Sequence, residues 1–301
     1  MHTQTASNER CAPHANPSTR ETTHAASEKL NAAHAAEALE FLARRPLHTA
    51  YLSSLIRDNG VVSPLNRGTF YGCRDTQGAL AGVALIGHAI FFEAHTEAAL
   101  ESFARLAQEY AAAHMLLGEQ EKIERFWHYY AGAGQSPRLL AREVLLEQTW
   151  PVAVCEAVPT LRQATLDDLS LVVPVHAQMA FEESGVNPLE TNAEGFRQRC
   201  ARRIEQGRVW VLVEDGRLVF KADVITDAPD VMYLEGIYIQ EEMRGRGLGL
   251  RCLSQLSRNL LARTRSLTVL VNERNHPALK LYARAGFRTR SNYDTIFLQK
   301  D

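Results

Sequence analysis

Long apolar runs are missing from this sequence of 301 residues. None reaches the roughly 20 residues that a bilayer-spanning helix needs, and no secretory h-region stands near the N-terminus. Cysteine is sparse: the five residues Cys11, Cys73, Cys155, Cys200 and Cys252 are scattered and form no CxxC pair. That spread speaks against a disulfide framework and a cysteine zinc site, and it fits a reducing compartment. A cytoplasmic location and no bound metal are expected. Charge of one sign is lacking as well. A formal net charge of -2 supplies no bulk attraction for nucleic acid or an anionic membrane, so neither is expected as a partner. What is present is an ordinary globular composition, 46% apolar and 23% charged, in a length that suits two domains better than one.

Residues 1 to about 36 are poor in large apolar side chains and are expected to be a flexible segment. His14, His24 and His34 recur there at even spacing, but the spacing fits no common ligand pattern and no Cys or Asp cluster supports it. From Ala38 the pattern becomes structured. Helix is predicted around Ala38 to Leu42 and Tyr51 to Ile56, with an interruption near Pro46. Strand-like runs follow at Thr69 to Cys73 and Leu80 to Phe92, with a turn at Asp75 to Gly78 between them. Leu100, Phe103, Leu106 and Ala107 mark a helix. A strand at Met115, a helix from Ile123 to Tyr130 and a strand from Leu139 to Leu146 complete the first half. A linker is expected from Trp150 to Pro159.

The second half repeats this order. Asp167 opens a helix through Val172, Val175 and Met179, and a second helix runs from Asn192 to Ile204. Strands at Val209 to Val213 and Arg217 to Thr226 flank Asp215-Gly216, a strong hairpin signal. A strand from Val231 to Ile239 leads into a glycine-rich stretch and then a helix with Leu253, Leu256, Leu260 and Leu261 on one face. Strand, helix and strand follow at Leu267, Pro277 and Phe287. Two copies of one domain are the simplest account of this repetition.

The stretch after Ile239 carries the chemistry. In Arg244-Gly245-Arg246-Gly247-Leu248-Gly249, glycine at every second position lets successive N–H groups converge. The helix that begins there adds unpaired donors and partial positive charge. The product is a site for a diphosphate. A Rossmann dinucleotide loop is the main rival, with Glu273 near the place of a ribose-binding acid. Against it, the third spaced glycine position is Leu250, and hairpin turns make the preceding strands antiparallel.

Arg244-x-x-Gly247-x-Gly249 resembles the R/Q-x-x-G-x-G/A motif of the GNAT N-acetyltransferase family. A second match lies downstream at Asn275-x-x-Ala278-x-x-Leu281-Tyr282-x-x-x-Gly286-Phe287. The order and the intervening helix and strand also match. The resemblance implies an α+β fold: two tandem acyl-CoA N-acyltransferase (GNAT-like) domains, each with a mixed, mostly antiparallel sheet flanked by helices. Residues 37–152 would form a degenerate copy, because Glu93-Ala-His-Thr follows its strand in place of a glycine loop. Residues 157–301 would form the catalytic domain.

The resemblance further implies acetyl-CoA as cosubstrate and a primary amine of a small molecule or peptide as acceptor, joined in a ternary complex. Ile237, Tyr238 and Ile239 would pair with the pantetheine arm. Gly245 to Leu250, with Arg244 and Arg246, would hold the diphosphate, and Asn275 would contact the pantetheine region. Tyr282 would protonate the departing thiolate, and Glu235 would take the proton of the amine. Other readings stay open: a non-catalytic acyl-CoA-binding module, Asn275 as a helix cap, Tyr282 as a core residue, and Glu235 as a solvent-facing or arginine-paired acid. The acceptor would approach the loop at Phe181 to Pro188, where Glu182 and Glu183 stand. Arg197, Arg199, Arg202 and Arg203 read as a solvated helix face.

Overall fold

The structure, a computed structural model, describes residues 26–299; the His14 and His24 positions lie outside them. The first half runs β1 (Ser27–Lys29), α1 (Ala35–Ala43), α2 (Pro46–Asn59), β2 (Gly68–Arg74), β3 (Leu80–Gly87), β4 (Ala89–Ala94), α3 (Glu97–Ala107), β5 (Met115–Glu119), α4 (Gln120–Tyr130) and β6 (Pro137–Gln148). The second half repeats that order as β7 (Arg162–Gln163), α5 (Leu169–Ser184), α6 (Pro188–Glu205), β8 (Val209–Glu214), β9 (Arg217–Val224), β10 (Val231–Ile239), α7 (Leu248–Leu261), β11 (Ser266–Asn272), α8 (His276–Ala285) and β12 (Arg288–Leu298). Short 3-10 turns open α1 and α5 and precede β2 and the glycine loop.

Local chemistry explains many of these boundaries. Asp215 and Gly216 both take positive φ, at 48° and 73°, which is the two-residue hairpin turn their identities predict. Asn275 caps α8 by accepting from the Ala278 N–H, and Gly286 ends it in the left-handed region. The run from Leu80 to Phe92, apolar throughout, is two strands rather than one. They turn at Gly87-His88, where a Cβ on Gly87 would stand 2.3 Å from the Gly68 Cα. The segment expected to be flexible through residue 36 is corrected at its end. Ser27–Lys29 pairs antiparallel with β2, Leu30 is buried in the α1–α2 core, and Arg74 pairs with Glu28 and Glu37.

All strands lie in one sheet, in the order β1-β2-β3-β4-β5-β12-β6-β11-β10-β9-β8-β7. Two neighbouring pairs are parallel, β4 with β5 and β10 with β11. Alternate residues of each strand face opposite layers. Val83 and Leu85 meet α1 and α2, whereas Ala84 and Ile86 meet α3 and α4. In the second half α5 and α6 cover Val209 and Val211, and α7 covers Met232 and Leu234.

The two halves exchange their last strands. β6 pairs with β11, and β12 pairs with β5. Between them, β6 and β12 pair along nearly their whole length. Ile296 and Leu298 of β12 thus belong to the core under α3 and α4, while Leu146 of β6 belongs to the core under α7. The linker after Trp150 is strapped to α7: the Val158 N–H donates to Gln255 and Arg258 donates to the Ala153 carbonyl.

Candidate active site

β10 and β11 run together only as far as Leu234 and Val269. Beyond that point β10 stays with β9, through an irregularity between Glu235 and Tyr238. Gly236 makes the irregularity possible. Its φ is +59°, and a Cβ there would stand 2.8 Å from the Lys221 Nζ. The backbone edge of Ile237 to Ile239 that faces β11 is therefore left without a strand partner.

The chain then turns through a short 3-10 segment and reaches Gly245 and Gly247, with φ of +74° and +81°. Nothing lies within 4 Å of where a Cβ would stand on either. These glycines thus serve backbone conformation, not packing. Gly249 differs, since its Cβ would stand 2.3 Å from the Ile239 Cδ1, so it lets α7 sit close on β10. Gly247 is the N-cap of α7, and no side chain caps that helix. Its first-turn N–H groups are left for a ligand.

An open cleft runs from the bend of β10 across this loop to α8. Ile237, Tyr238, Ile239, Arg244, Gly245, Gly247, Gly249, Leu250, Asn275 and Tyr282 all line it. Leu248 is instead buried in the core as the first residue of α7. Arg246 is exposed and does not line the cleft, and the Arg244 Nε donates back to the Ile239 carbonyl at 3.0 Å. Asn275 spends its Oδ1 on the cap of α8. Tyr282 is 7% exposed, with its ring edge-on to Phe287 at 5.4 Å. Burial pushes its hydroxyl above the ordinary range, so it keeps its proton, and that hydroxyl has no hydrogen-bond partner among the described residues.

Residues 221–296, from β9 to β12, match the family described as FR47-like protein. No match is found among the curated proteins. A Drosophila protein of solved structure is similar at a TM-score of 0.66 and 14% identity, covering 91% of this chain and 98% of its own. A GCN5-related N-acetyltransferase from Sphaerobacter thermophilus gives 0.58 and 15%, covering 90% of this chain and 94% of its own. A tandem GNAT protein from the clavulanic acid biosynthesis pathway gives 0.57 and 13%, covering 91% and 98%. The chain has the tandem GNAT fold.

In the first GNAT copy the strands that correspond to β10 and β11 are β4 and β5. Their shared register puts Glu93 where β10 has Glu235 and Glu119 where β11 has Leu270. Arg45, at the N-cap of α2, bridges both carboxylates, and Lys122 pairs with both. His48 joins them to Tyr293 of the exchanged β12. Burial alone would raise Glu119, but Arg45, His48 and Lys122 hold it down at about 2. This copy is closed by internal ion pairs where the second copy is open.

Around Glu235 the second GNAT copy is differently charged. Glu235 is exposed and lies directly across from Asp223 on β9. Asp223 and Lys221 are fully buried and paired at 2.8 Å. Arg203 donates to the same carboxylate at 3.1 Å, which corrects the reading of the α6 arginines as a solvated face. Arg202 likewise donates, to Asn59 of the first half. The Asp223 Oδ1 keeps no partner.

Glu143 of the exchanged strand β6 lies on the same face of the sheet as Glu235, and Glu183 stands in the last turn of α5. Although Glu183 is exposed, desolvation by the protein around it first, and then Glu235 and Glu143, push its carboxyl up. Glu143 is raised by burial against the Thr295 hydroxyl that donates to it, with Glu235 and Asp294 adding to the rise. None of the three forms an ion pair with a basic side chain among the described residues. Sequence reasoning singled out Glu183 but not Glu143. Nothing local in β6 signals that it leaves its own half.

Proposed function

We propose that the second GNAT copy is an N-acetyltransferase that moves the acetyl group of acetyl-CoA to a primary amine. The observation that carries this reading is the cleft itself. An uncapped helix start behind two left-handed glycines, an unpaired strand edge and a buried, proton-bearing tyrosine line one continuous space.

These residues fit the cosubstrate. N–H groups from Gly245 to Leu250 donate to the diphosphate, aided by the helix dipole. The free edge of Ile237 to Ile239 accepts the pantetheine amides as an added strand would, and the same edge can donate to the thioester oxygen. When bound, acetyl-CoA supplies the activated acyl group. Glu235 takes one proton from the substrate ammonium, directly or through water, so that its lone pair is free. Tyr282 delivers a proton to the sulfur that leaves and regains one as the amide nitrogen loses its second. One C–N bond forms and one C–S bond breaks, and the net products are an amide, free thiol and one proton.

Calorimetry with acetyl-CoA, CoA and NAD, followed by thiol release across an amine panel, tests the reading. Tight acetyl-CoA binding with CoA release is expected. Binding of NAD in preference to acetyl-CoA, or acetyl-CoA binding that no amine or peptide ever converts to free thiol, would overturn it.

A further inference from the structure

Lys221 and Asp223 of β9 lie against the bend of β10, and both are fully buried. Lysine is almost never so deep unless its charge is paired. The Lys221 Nζ donates to the Asp223 Oδ2 at 2.8 Å and, across to the next strand, to the Gly236 carbonyl at 3.2 Å. The same Asp223 oxygen is held from both helices that cover this face. Arg203 of α6 donates to it at 3.1 Å, and the His176 Nδ1 of α5 stands 3.2 Å away. The carboxylate thus fixes the ammonium, and the ammonium fixes the carbonyl.

That carbonyl belongs to the peptide between Gly236 and Ile237, where β10 has no ladder on either side. Pairing with β11 ends at Leu234, and pairing with β9 stops at Glu235 and resumes at Tyr238. The peptide is trans, since the described residues hold a cis bond only at Trp150-Pro151. In a trans peptide the C=O and the N–H point opposite ways. A carbonyl turned toward Lys221 of β9 therefore sends the Ile237 N–H away from β9, to the side from which β11 has departed. Ile237 lines the cleft there, together with Tyr282. Only glycine fits at 236, because a Cβ would stand 2.8 Å from the ammonium and 3.0 Å from the Asp223 Oδ2.

A buried ion pair contributes little net stability, because the desolvation of both charges offsets their attraction. Support of β9 alone would need no third partner on β10. The bond to Gly236 gives the pair a directional task. Resting on the transferase reading above, we propose that Lys221 is a positioning residue: held by Asp223, it keeps the Gly236–Ile237 peptide turned so that the Ile237 N–H points into the cleft. There the N–H donates to the thioester oxygen as negative charge gathers on it. Lys221 itself touches neither substrate.

The test uses the full chain and compares acetyl-CoA with S-ethyl-CoA, which has the same length and lacks the carbonyl oxygen. In calorimetry the wild type should prefer acetyl-CoA by about fivefold, the worth of one hydrogen bond. Lys221→Met keeps an unbranched chain and removes the ammonium. It should bring that preference near one and leave S-ethyl-CoA affinity unchanged. It should also lower kcat by about a hundredfold, the scale of one lost oxyanion donor, far more than it raises KM for acetyl-CoA. The binding comparison decides even if no amine of the panel turns over. If the lone Asp223 charge unfolds that variant, Lys221→Met/Asp223→Leu removes both buried charges, an exchange that proteins commonly tolerate, and the same readings decide. If neither folds, the infrared band of the isotope-labelled acetyl carbonyl on the wild type decides, and a band no lower than in water overturns the proposal. A wild-type preference near one, a preference that the variant keeps, or an equal loss of affinity for both ligands also overturns it. Failure of the wild type to bind acetyl-CoA at all would sink the transferase reading instead. Intact acetyl-CoA binding without that preference would sink the Lys221 assignment alone.

Discussion

At Gly247 an L side chain would have space but the wrong backbone, since φ is +81° and no atom lies within 4 Å of a Cβ. Left-handed backbone costs most residues about 1–2 kcal/mol, and asparagine less. Gly247→Asn should therefore keep acetyl-CoA affinity nearly intact. Gly247→Glu adds a negative charge at the anion site and should abolish binding in calorimetry, with an unchanged circular dichroism spectrum. If Gly247→Glu still binds, the loop is not the diphosphate site. Tyr282 separates binding from chemistry. Tyr282→Phe keeps the ring against Phe287 and loses only the proton, so kcat should fall by about a hundredfold or more, the scale of general-acid catalysis. Acetyl-CoA affinity should stay put, and full activity would reduce Tyr282 to a packing residue. These positions were legible in the sequence because glycine spacing and the Asn275 to Phe287 motif are local features. Arg246 shows the limit of such reading: its charge is in the motif, yet it is exposed and does not line the cleft.

Helices and strands were legible where the side-chain period or a turn residue declares them. Asp215-Gly216 fixes the β8–β9 hairpin, and the leucines of α7 fix its buried face. The β3–β4 hairpin was hidden because both strands are apolar on both faces, so alternation vanishes at Gly87-His88. The bend of β10 depends on Gly236 meeting Lys221 and Asp223 of the neighbouring strand, a contact no single strand announces. The same limit hid the ion-pair network of the first GNAT copy, where Arg45, Glu93, Glu119 and Lys122 belong to separate elements. That network has a pH signature. Glu119 is held at about 2, below its unfolded value, so its contribution is present above pH ~4.5. The contribution is lost as pH falls toward the folded value, because protonation is then favoured in the unfolded chain. Denaturant melts from pH 7 down to 3, both set as rough bounds by the reference carboxylate range, should show stability falling more steeply in the wild type than in Glu119→Gln. Parallel curves would mean the network contributes nothing to stability.

The exchange of β6 and β12 acts on the whole molecule. In sequence the halves divide cleanly near residues 151–158, but the sheet does not divide there. Every ladder partner of β12 belongs to the first half, namely β5 and β6. β11 likewise loses β6 if the halves are separated. A chain of residues 157–301 alone would leave Ile296, Phe297 and Leu298, all buried in the intact protein, without their surroundings. It would also leave the edges of β11 and β12 open and without ladder partners, a template for pairing with another chain. The isolated second half should therefore fail to fold or should dimerise through its open edges. A protease site inserted beside Val154, which is 89% exposed, tests the converse. After cleavage the two pieces should co-elute in gel filtration and keep acetyl-CoA affinity, since the linker carries few of the contacts that join them. If the pieces part and the second binds acetyl-CoA as a monomer, the exchanged strand is dispensable.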